Sequence, residues 1–189
     1  MADPVTRGAA RIATLVAVPV AIVVAVVIFL VVSNARPKDD PGAQPSAMSS
    51  APVYVDLPKL DGEQAVACRA LLAELPDQVL DQGRRIMADG SEQAAAFGDP
   101  PTTLVCGVEA PKVDPAEIVY PLEGVCWVSR PTPQGSAPGT VWTTVDRVVP
   151  VAVTVPGDPA GSGQWAKGVA AVVGKQLARS AEGVPTGCG

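Results

Sequence analysis

Histidine is absent from this sequence, and aromatic and charged residues are scarce. Of the 189 residues, 4% are aromatic and 17% are charged, and the formal net charge is −5. Without an imidazole the chain has no Ser-His-Asp or Cys-His pair, no histidine general base and no histidine ligand for zinc or haem. An acidic chain with few aromatic residues also suits nucleic acid poorly, because phosphate contacts need clustered lysine and arginine. We expect no nucleic-acid partner.

Motifs for other catalytic chemistry are missing as well. The sequence contains no GxSxG nucleophile elbow, no SxxK pair and no glycine-rich phosphate loop. Its four cysteines are separated by 38, 20 and 62 residues, so no CxxC pair is available for a metal site. We therefore expect no catalytic residues, no metal and no cofactor, and we predict that the protein is not an enzyme.

One long apolar run is present near the N-terminus. Residues 12–32 read IATLVAVPVAIVVAVVIFLVV, 21 residues without a charge. At 1.5 Å per residue such a helix is about 31 Å long, close to the roughly 30 Å hydrocarbon thickness of a bilayer. We predict a transmembrane helix over 12–32 after a short cytoplasmic tail over 1–11, with the lipid bilayer as a partner. Because the apolar region of a cleaved signal peptide is only about 7–15 residues long, the length favours a retained anchor. A cleavage-like Ser33-Asn34-Ala35 sequence leaves secretion after cleavage near Ala35 as the alternative.

The cysteines indicate on which side of the membrane the rest of the chain lies. Two basic residues precede the run and two follow it, so flanking charge does not decide the orientation. All four cysteines follow the run, and an even number in a small tethered domain indicates disulfides in an oxidising compartment. We expect a single-pass protein of the cell membrane whose C-terminal domain is extracytoplasmic.

Small residues recur within the apolar run. Ala13, Ala17, Ala21 and Ala25 are spaced by four and form a stripe on one helix face. Such a stripe lets a second helix approach closely, which predicts a membrane-protein partner. The competing interpretation is chance, since the chain is rich in alanine throughout.

The remaining sequence divides into a linker and a patterned domain. Residues 33–52 are rich in proline, serine and alanine without apolar periodicity, which predicts a flexible linker before a domain over 53–189. Asp61 and Gln64 resemble the capping pair of a helix that Pro76 ends, and Ser162 and Gly183 bracket a second helix. Strand-like runs lie between them, at 84–88, 93–97, 102–108, 124–129, 141–147 and 149–155. Short connections favour antiparallel pairing, so we predict an α+β fold: a mostly antiparallel sheet with both helices on one face.

Strand parity favours one of the three possible cysteine pairings. Cys106 lies on the strand face expected to look toward the helices, where Cys68 lies on the buried side of the first helix. If Trp127 is buried, Cys126 points to the opposite face, where the tail that carries Cys188 is able to cross. We therefore favour Cys68–Cys106 and, by elimination, Cys126–Cys188.

Few residues stand out as ligand-site candidates. Asp99 precedes two prolines in a Gly-Asp-Pro-Pro turn, where turn chemistry is the simpler interpretation. Asp146 and Arg147 are adjacent and are more simply explained as an ion pair at a strand end. Trp142 and Trp165 either line a groove or fill the core, and we favour burial. The loop over 130–140 is longer than a hairpin needs and is a candidate partner-binding element.

Several short motifs together resemble a known family. Residues 68–76 read CRALLAELP, residues 94–108 read AAAFGDPPTTLVCGV, residues 124–127 read GVCW, and residues 143–147 read TTVDR. This set resembles the actinobacterial envelope family called domain of unknown function 3515 over essentially all of 53–178. The resemblance implies a membrane or signal segment followed by an envelope domain, and it implies no activity.

Two positions depart from the family pattern. Members usually have aspartate where this chain has Cys126, and a tail cysteine such as Cys188 is not typical. A paired gain of both fits a disulfide particular to this branch of the family.

Three functional hypotheses follow. We expect a non-enzymatic interaction or accessory subunit of an envelope membrane complex. The alternative is a binding module for a lipid or cell-wall precursor held between sheet and helices, which requires an internal apolar cavity. A hydrolase or transferase without histidine requires a pocket in which Asp99, Asp146 and Arg147 converge.

Overall fold

The computed structural model describes residues 22–29, 49–181, 185 and 187–188. The chain divides into two units, Met1–Ala47 and Met48–Gly189. In the first unit, residues 22–29 form a helix, α1, with exposed side chains. Among the described residues, no helix combines the length and apolar character needed to cross a membrane. The tail over 1–11 and most of the predicted 12–32 helix and of the linker lie outside them, as do Ala13, Ala17 and Ala21, so these expectations stay predictions.

Within its described residues the second unit contains two helices and eight strands. The helices are α2 (Gly62–Glu74) and α3 (Gly163–Gln176). The strands are β1 (Gln78–Val79), β2 (Gln82–Gly83), β3 (Ala94–Phe97), β4 (Thr102–Cys106), β5 (Val119–Leu122), β6 (Val125–Pro131), β7 (Gly139–Thr144) and β8 (Val151–Pro156). Strands β1 and β2 form a hairpin, and the other six form an antiparallel sheet in the order β3-β4-β8-β7-β6-β5. The α+β class and the antiparallel sheet are confirmed.

The core lies between one face of this sheet and the two helices. Leu104 is paired with Val153, and Val153 is paired with Trp142, so the three side chains form one buried row across the sheet. Leu71 of α2 and Val173 of α3 belong to the same hydrophobic cluster. Both helices therefore cover the same face, as the sequence predicts.

The two helices begin differently. At α2 the Asp61 carboxylate accepts from the Gln64 backbone N–H at 2.8 Å, and Gln64 Oε1 accepts from the Asp61 N–H at 3.2 Å, which is the predicted capping box. Ser162 is the N-cap residue of α3, as predicted, but its side chain makes no capping hydrogen bond. Its hydroxyl instead accepts from the buried Trp142 indole N–H at 3.0 Å and donates to the Pro159 carbonyl at 2.8 Å.

Several predicted strands and helix ends differ from those in the structure. The predicted strand over 84–88 is wrong: it makes only isolated bridges, from Arg84 to Phe97 and from Met87 to Val53. The two-residue strands β1 and β2 and the proline-containing β5 were not predicted. Helix α3 ends at Gln176, well before Gly183, and the residues that follow it pair with the segment after β7 through an Arg147–Arg179 bridge.

Candidate functional site

Two disulfides join the C-terminal segment and α2 to the sheet. Cys68 of α2 is bonded to Cys106 of β4, and Cys126 of β6 is bonded to Cys188. All four residues are buried, and no described cysteine is free. These are the two pairs that strand parity favours.

A buried carboxylate stands beside the second disulfide. Asp146, just after β7, is 1% exposed, and its Oδ1 accepts from the Cys126 backbone N–H at 3.0 Å. Its Oδ2 lies 3.5 Å from Arg147 Nη2 and 3.8 Å from Arg179 Nε. The Arg147 guanidinium also donates to the Gly124 carbonyl at 2.6 Å. We call Asp146, Arg147 and Arg179 the Asp146 cluster.

The Asp146 cluster fastens the C-terminal segment to the sheet. The Val148 N–H donates to the Ala178 carbonyl, and the Ser180 N–H donates to the Asp146 carbonyl, which continues the pairing past the end of β7. Arg179 also donates to the Cys188 carbonyl. The sequence singled out Asp146 and Arg147 but missed Arg179, whose proximity depends on the chain reversing after α3. This arrangement supports a structural role for the three charges.

The Asp99 turn is held by a different arginine. The guanidinium of Arg85 has a side-chain exposure of 5% and donates to the carbonyls of Gly98 and Ala51, both at 2.9 Å. The same group lies 4.0 Å from Asp99 Oδ1, whose side chain is 48% exposed. The Asp99–Pro100 peptide bond in this turn is cis. Arg85 thus anchors the turn from the inside while the Asp99 carboxylate faces outward.

Asp99 borders a surface cleft of about 350 Å³, which we call the Asp99 cleft. It forms where the β1–β2 turn, the β3–β4 turn, the end of β8 and the first turn of α3 meet. Residues that line it include Leu80, Gln82, Asp99, Thr102, Val155 and Trp165. Trp165 is half-buried rather than enclosed in the core, and its ring contacts Phe97 with the centroids 6.5 Å apart.

The β1–β2 turn at the rim of this cleft has a strained backbone. Leu80 and Asp81 have φ of 50° and 61°, in the left-handed region that glycine and asparagine normally fill in a tight hairpin. Each such residue costs on the order of 1–3 kcal/mol. The Leu80 side chain is also 46% exposed, so burial does not compensate for this cost. Sequence reasoning missed both Leu80 and Gln82, since Gln-Val-Leu-Asp-Gln carries no recognised turn signal.

Asp99 and Asp146 lie at opposite ends of the sheet. Asp99 precedes Thr102, the first residue of β4, whereas Asp146 follows the end of β7 that is level with Cys106, the last residue of β4. The structure brings Asp146 and Arg147 together and keeps Asp99 apart from both.

Two further clefts open at loops. One of about 570 Å³ surrounds the β6–β7 connection, within the 130–140 loop, and one of about 500 Å³ lies between residues 111–119, Val145 and Pro185. Beside the latter, Arg130 Nε and Nη2 donate to the two carboxylate oxygens of Glu117 at 2.8 Å each. This bidentate contact lowers the pKa of Glu117 below its ordinary value and raises the pKa of Arg130. All three clefts lie at loops and strand ends rather than between the sheet and the helices.

Comparison with known proteins identifies one family. A family model described as "Protein of unknown function (DUF3515)" matches residues 16–181, which is most of the chain. No curated protein and no solved structure gives a significant match. The chain therefore belongs to the DUF3515 family, whose function is unknown.

Proposed function

We propose that this protein is a single-pass, membrane-anchored envelope protein, with an extracytoplasmic domain that acts as a non-enzymatic interaction or accessory subunit of a membrane complex. The observation that carries the proposal is the pair of buried disulfides in a domain that follows a 21-residue apolar run. Structural disulfides form and persist in oxidising compartments and are rare where thioredoxin and glutathione keep thiols reduced. A domain that depends on two of them belongs on the far side of the membrane from the cytosol.

The non-enzymatic part of the proposal is supported by how the ionisable groups are used. One oxygen of the Asp146 carboxylate accepts from a backbone amide, and the other lies within 3.8 Å of two arginines. Asp99 faces solvent at the opposite end of the sheet, with Arg85 Nη1 4.0 Å from its Oδ1. Acid–base catalysis needs groups within hydrogen-bond reach of one reacting centre. The separation of these candidates therefore favours binding over catalysis.

The membrane-complex part is supported by the apolar run itself. The family match begins at residue 16 and so includes most of the run. In the predicted helix, the alanine stripe forms a face of small residues of the kind on which another helix packs closely.

Cysteine accessibility tests the topology. Intact protoplasts that express the full chain are treated with a membrane-impermeant maleimide before and after reduction, and in parallel with an added protease. We expect no labelling before reduction, labelling of four thiols after it, and degradation of the domain from outside. Cys126→Ser is the matched control, because it leaves the Cys188 thiol free to label without reductant. Four labelled thiols in the unreduced wild type, or a domain protected in intact cells, would contradict the proposal.

Site-specific photocrosslinking tests the complex. A photoreactive residue at Ala21 lies on the alanine stripe, whereas one at Val26 lies on the opposite side of the predicted helix. In native membranes we expect a crosslinked product heavier than the monomer from Ala21 and none from Val26. Monomer alone from both positions would argue against a helix partner.

A further inference from the structure

The Asp99 cleft combines an aromatic surface with two polar groups that different parts of the chain supply. Leu80 and Gln82 come from the β1–β2 hairpin, Asp99 from the β3–β4 turn and Trp165 from the first turn of α3. The cleft volume of about 350 Å³ falls in the range of roughly 300–1,000 Å³ that is typical of small-ligand sites.

The backbone of the turn that carries Asp99 is held in place before any ligand arrives. Arg85 binds the Gly98 carbonyl from inside the domain, which fixes the turn that carries Asp99. A Cβ placed on Gly98 would lie 2.8 Å from Gln82 Oε1, so the Gln82 amide rests directly against the Gly98 backbone. The Trp165 ring contacts the ring of Phe97, which is buried. Preorganised groups of this kind reduce the entropy lost on binding.

The strained β1–β2 turn lies at the rim of the Asp99 cleft and supports the same assignment. Leu80 and Asp81 adopt left-handed backbone conformations without glycine, and the Leu80 side chain projects at the rim of the cleft while remaining exposed. Strain of this type persists mainly where it positions a functional group. In this structure, the strained turn places the apolar side chain of Leu80 in the same cleft as Trp165.

The chemistry of the lining selects one class of ligand. An indole ring packs against the C–H face of a pyranose, while a carboxylate accepts hydrogen bonds from hydroxyls and an amide both donates and accepts. Arg85 is buried and already committed to two carbonyls, so the cleft offers no free cation to an anionic ligand. We propose that the Asp99 cleft binds a neutral pyranose saccharide, with Trp165 as the stacking surface and Asp99 and Gln82 as the hydroxyl-binding groups.

This site goes beyond the anchoring and accessory role and does not depend on it. A domain held outside the cytoplasm faces the polysaccharides of the envelope, and a saccharide site would fix it to that material. The purified protein is sufficient for the test, so its result is independent of the topology and crosslinking experiments.

Tryptophan fluorescence provides a direct measurement. The full chain is reconstituted in phosphatidylglycerol nanodiscs, because sugar-based detergents would compete, and is titrated with N-acetylglucosamine tetramer and cellotetraose. Trp127 and Trp142 are buried, so a ligand-dependent change reports mainly on Trp165. We expect a saturable change with at least one of these neutral oligosaccharides and none with an oligomer of uronic acids. No response to either neutral oligosaccharide by fluorescence or calorimetry would overturn the proposal.

Variants locate the site. Trp165→Phe should abolish the fluorescence response. Measured by calorimetry, Trp165→Phe, Gln82→Ala and Asp99→Asn should each weaken saccharide binding by about tenfold. Leu80→Gly should weaken binding while raising the melting temperature, a combination that a purely structural role for Leu80 would not produce. Asp81→Gly is the matched control, because it relieves the same strain without lining the cleft and should leave binding unchanged. Binding that all four cleft variants leave at the wild-type level would refute the assignment.

Discussion

The carboxylate of Asp146 accepts a hydrogen bond from the backbone amide of Cys126 at 3.0 Å, next to the disulfide through which Cys126 holds the C-terminal segment. The other oxygen of Asp146 lies between Arg147 and Arg179, and Arg179 in turn donates to the carbonyl of Cys188. A buried charge and a covalent bond therefore secure the same segment against the same end of the sheet.

Removing the buried charge should be costly. Asp146→Asn preserves the shape of the side chain but leaves the buried Arg147 guanidinium without its counter-charge, a change that typically costs about 3–5 kcal/mol. We expect the free energy of unfolding, measured by urea titration of the full chain in micelles, to fall by that order.

An exposed ion pair provides the control for Asp146→Asn. Glu74 lies 3.8 Å from Lys175, and both side chains are more than half exposed. Glu74→Gln should change the free energy of unfolding by about 0.2–1 kcal/mol or less. Equal effects of the two substitutions would mean that the Asp146 cluster contributes no more than a surface pair.

The two disulfides should stabilise the fold similarly but protect different segments. They close loops of 38 and 62 residues, and by loop entropy each contributes about 4 kcal/mol. Replacing Cys126 and Cys188 by serine should increase hydrogen exchange in residues 178–180, whereas replacing Cys68 and Cys106 should increase it in α2. Identical exchange maps for the two double variants would contradict this division.

The Glu117–Arg130 pair should make stability depend on pH. The hydrogen bonds from Arg130 lower the pKa of Glu117 below its ordinary value of 4.5, so the folded state binds this proton less tightly than the unfolded state. The stabilisation is therefore fully present above the ordinary pKa and disappears as the pH falls through the lowered pKa. At pH 7, Glu117→Gln should reduce the free energy of unfolding by about 0.5 kcal/mol, and this difference should vanish in strong acid.

Exposed Glu109 provides a reference for the size of the Glu117→Gln effect at pH 7. At pH 7, Glu109→Gln should change the free energy of unfolding by less than Glu117→Gln does. A Glu117→Gln effect that grew as the pH fell would show that the sign of the linkage is wrong.

Glycine in the strained hairpin should stabilise the domain. Asp81 has a φ of 61°, which glycine adopts without steric cost. Because the relief of strain outweighs the greater freedom of the unfolded chain, we expect Asp81→Gly to raise the free energy of unfolding by about 1 kcal/mol. Thermal unfolding followed by circular dichroism measures this change. A lower melting temperature would mean that the Asp81 side chain makes a compensating contact.

Local sequence patterns predicted the structure correctly where the interacting residues are also close in sequence or share one strand. The capping box of Asp61 and Gln64 depends on residues three apart, and strand alternation placed Cys106 toward α2 because side chains alternate strictly between faces. Prediction failed where a distant residue competed for a side chain. Ser162 occupies the predicted N-cap position of α3, but its hydroxyl accepts from the buried Trp142 indole instead of capping the helix.

The same distinction between local and long-range contacts applies to the Asp99 cleft. Asp99 is recognisable as a turn residue, but its role depends on Arg85, which the sequence placed in a strand and which the structure uses to hold Gly98. The positive φ of Leu80 and the approach of Trp165 to Asp99 left no local signal. They arise only when the hairpin, the sheet and α3 come together.

The sequence by itself determined the α+β class, the antiparallel sheet and the membership of a family, and it favoured the observed cysteine pairing, because periodicity, parity and short motifs are local properties of the chain. The tertiary structure alone decided that Asp146 supports the C-terminal segment, that Asp99 stands far from it, and that an aromatic cleft forms beside Asp99. Such placements depend on contacts between residues far apart in the chain, and those contacts form only when the core packs.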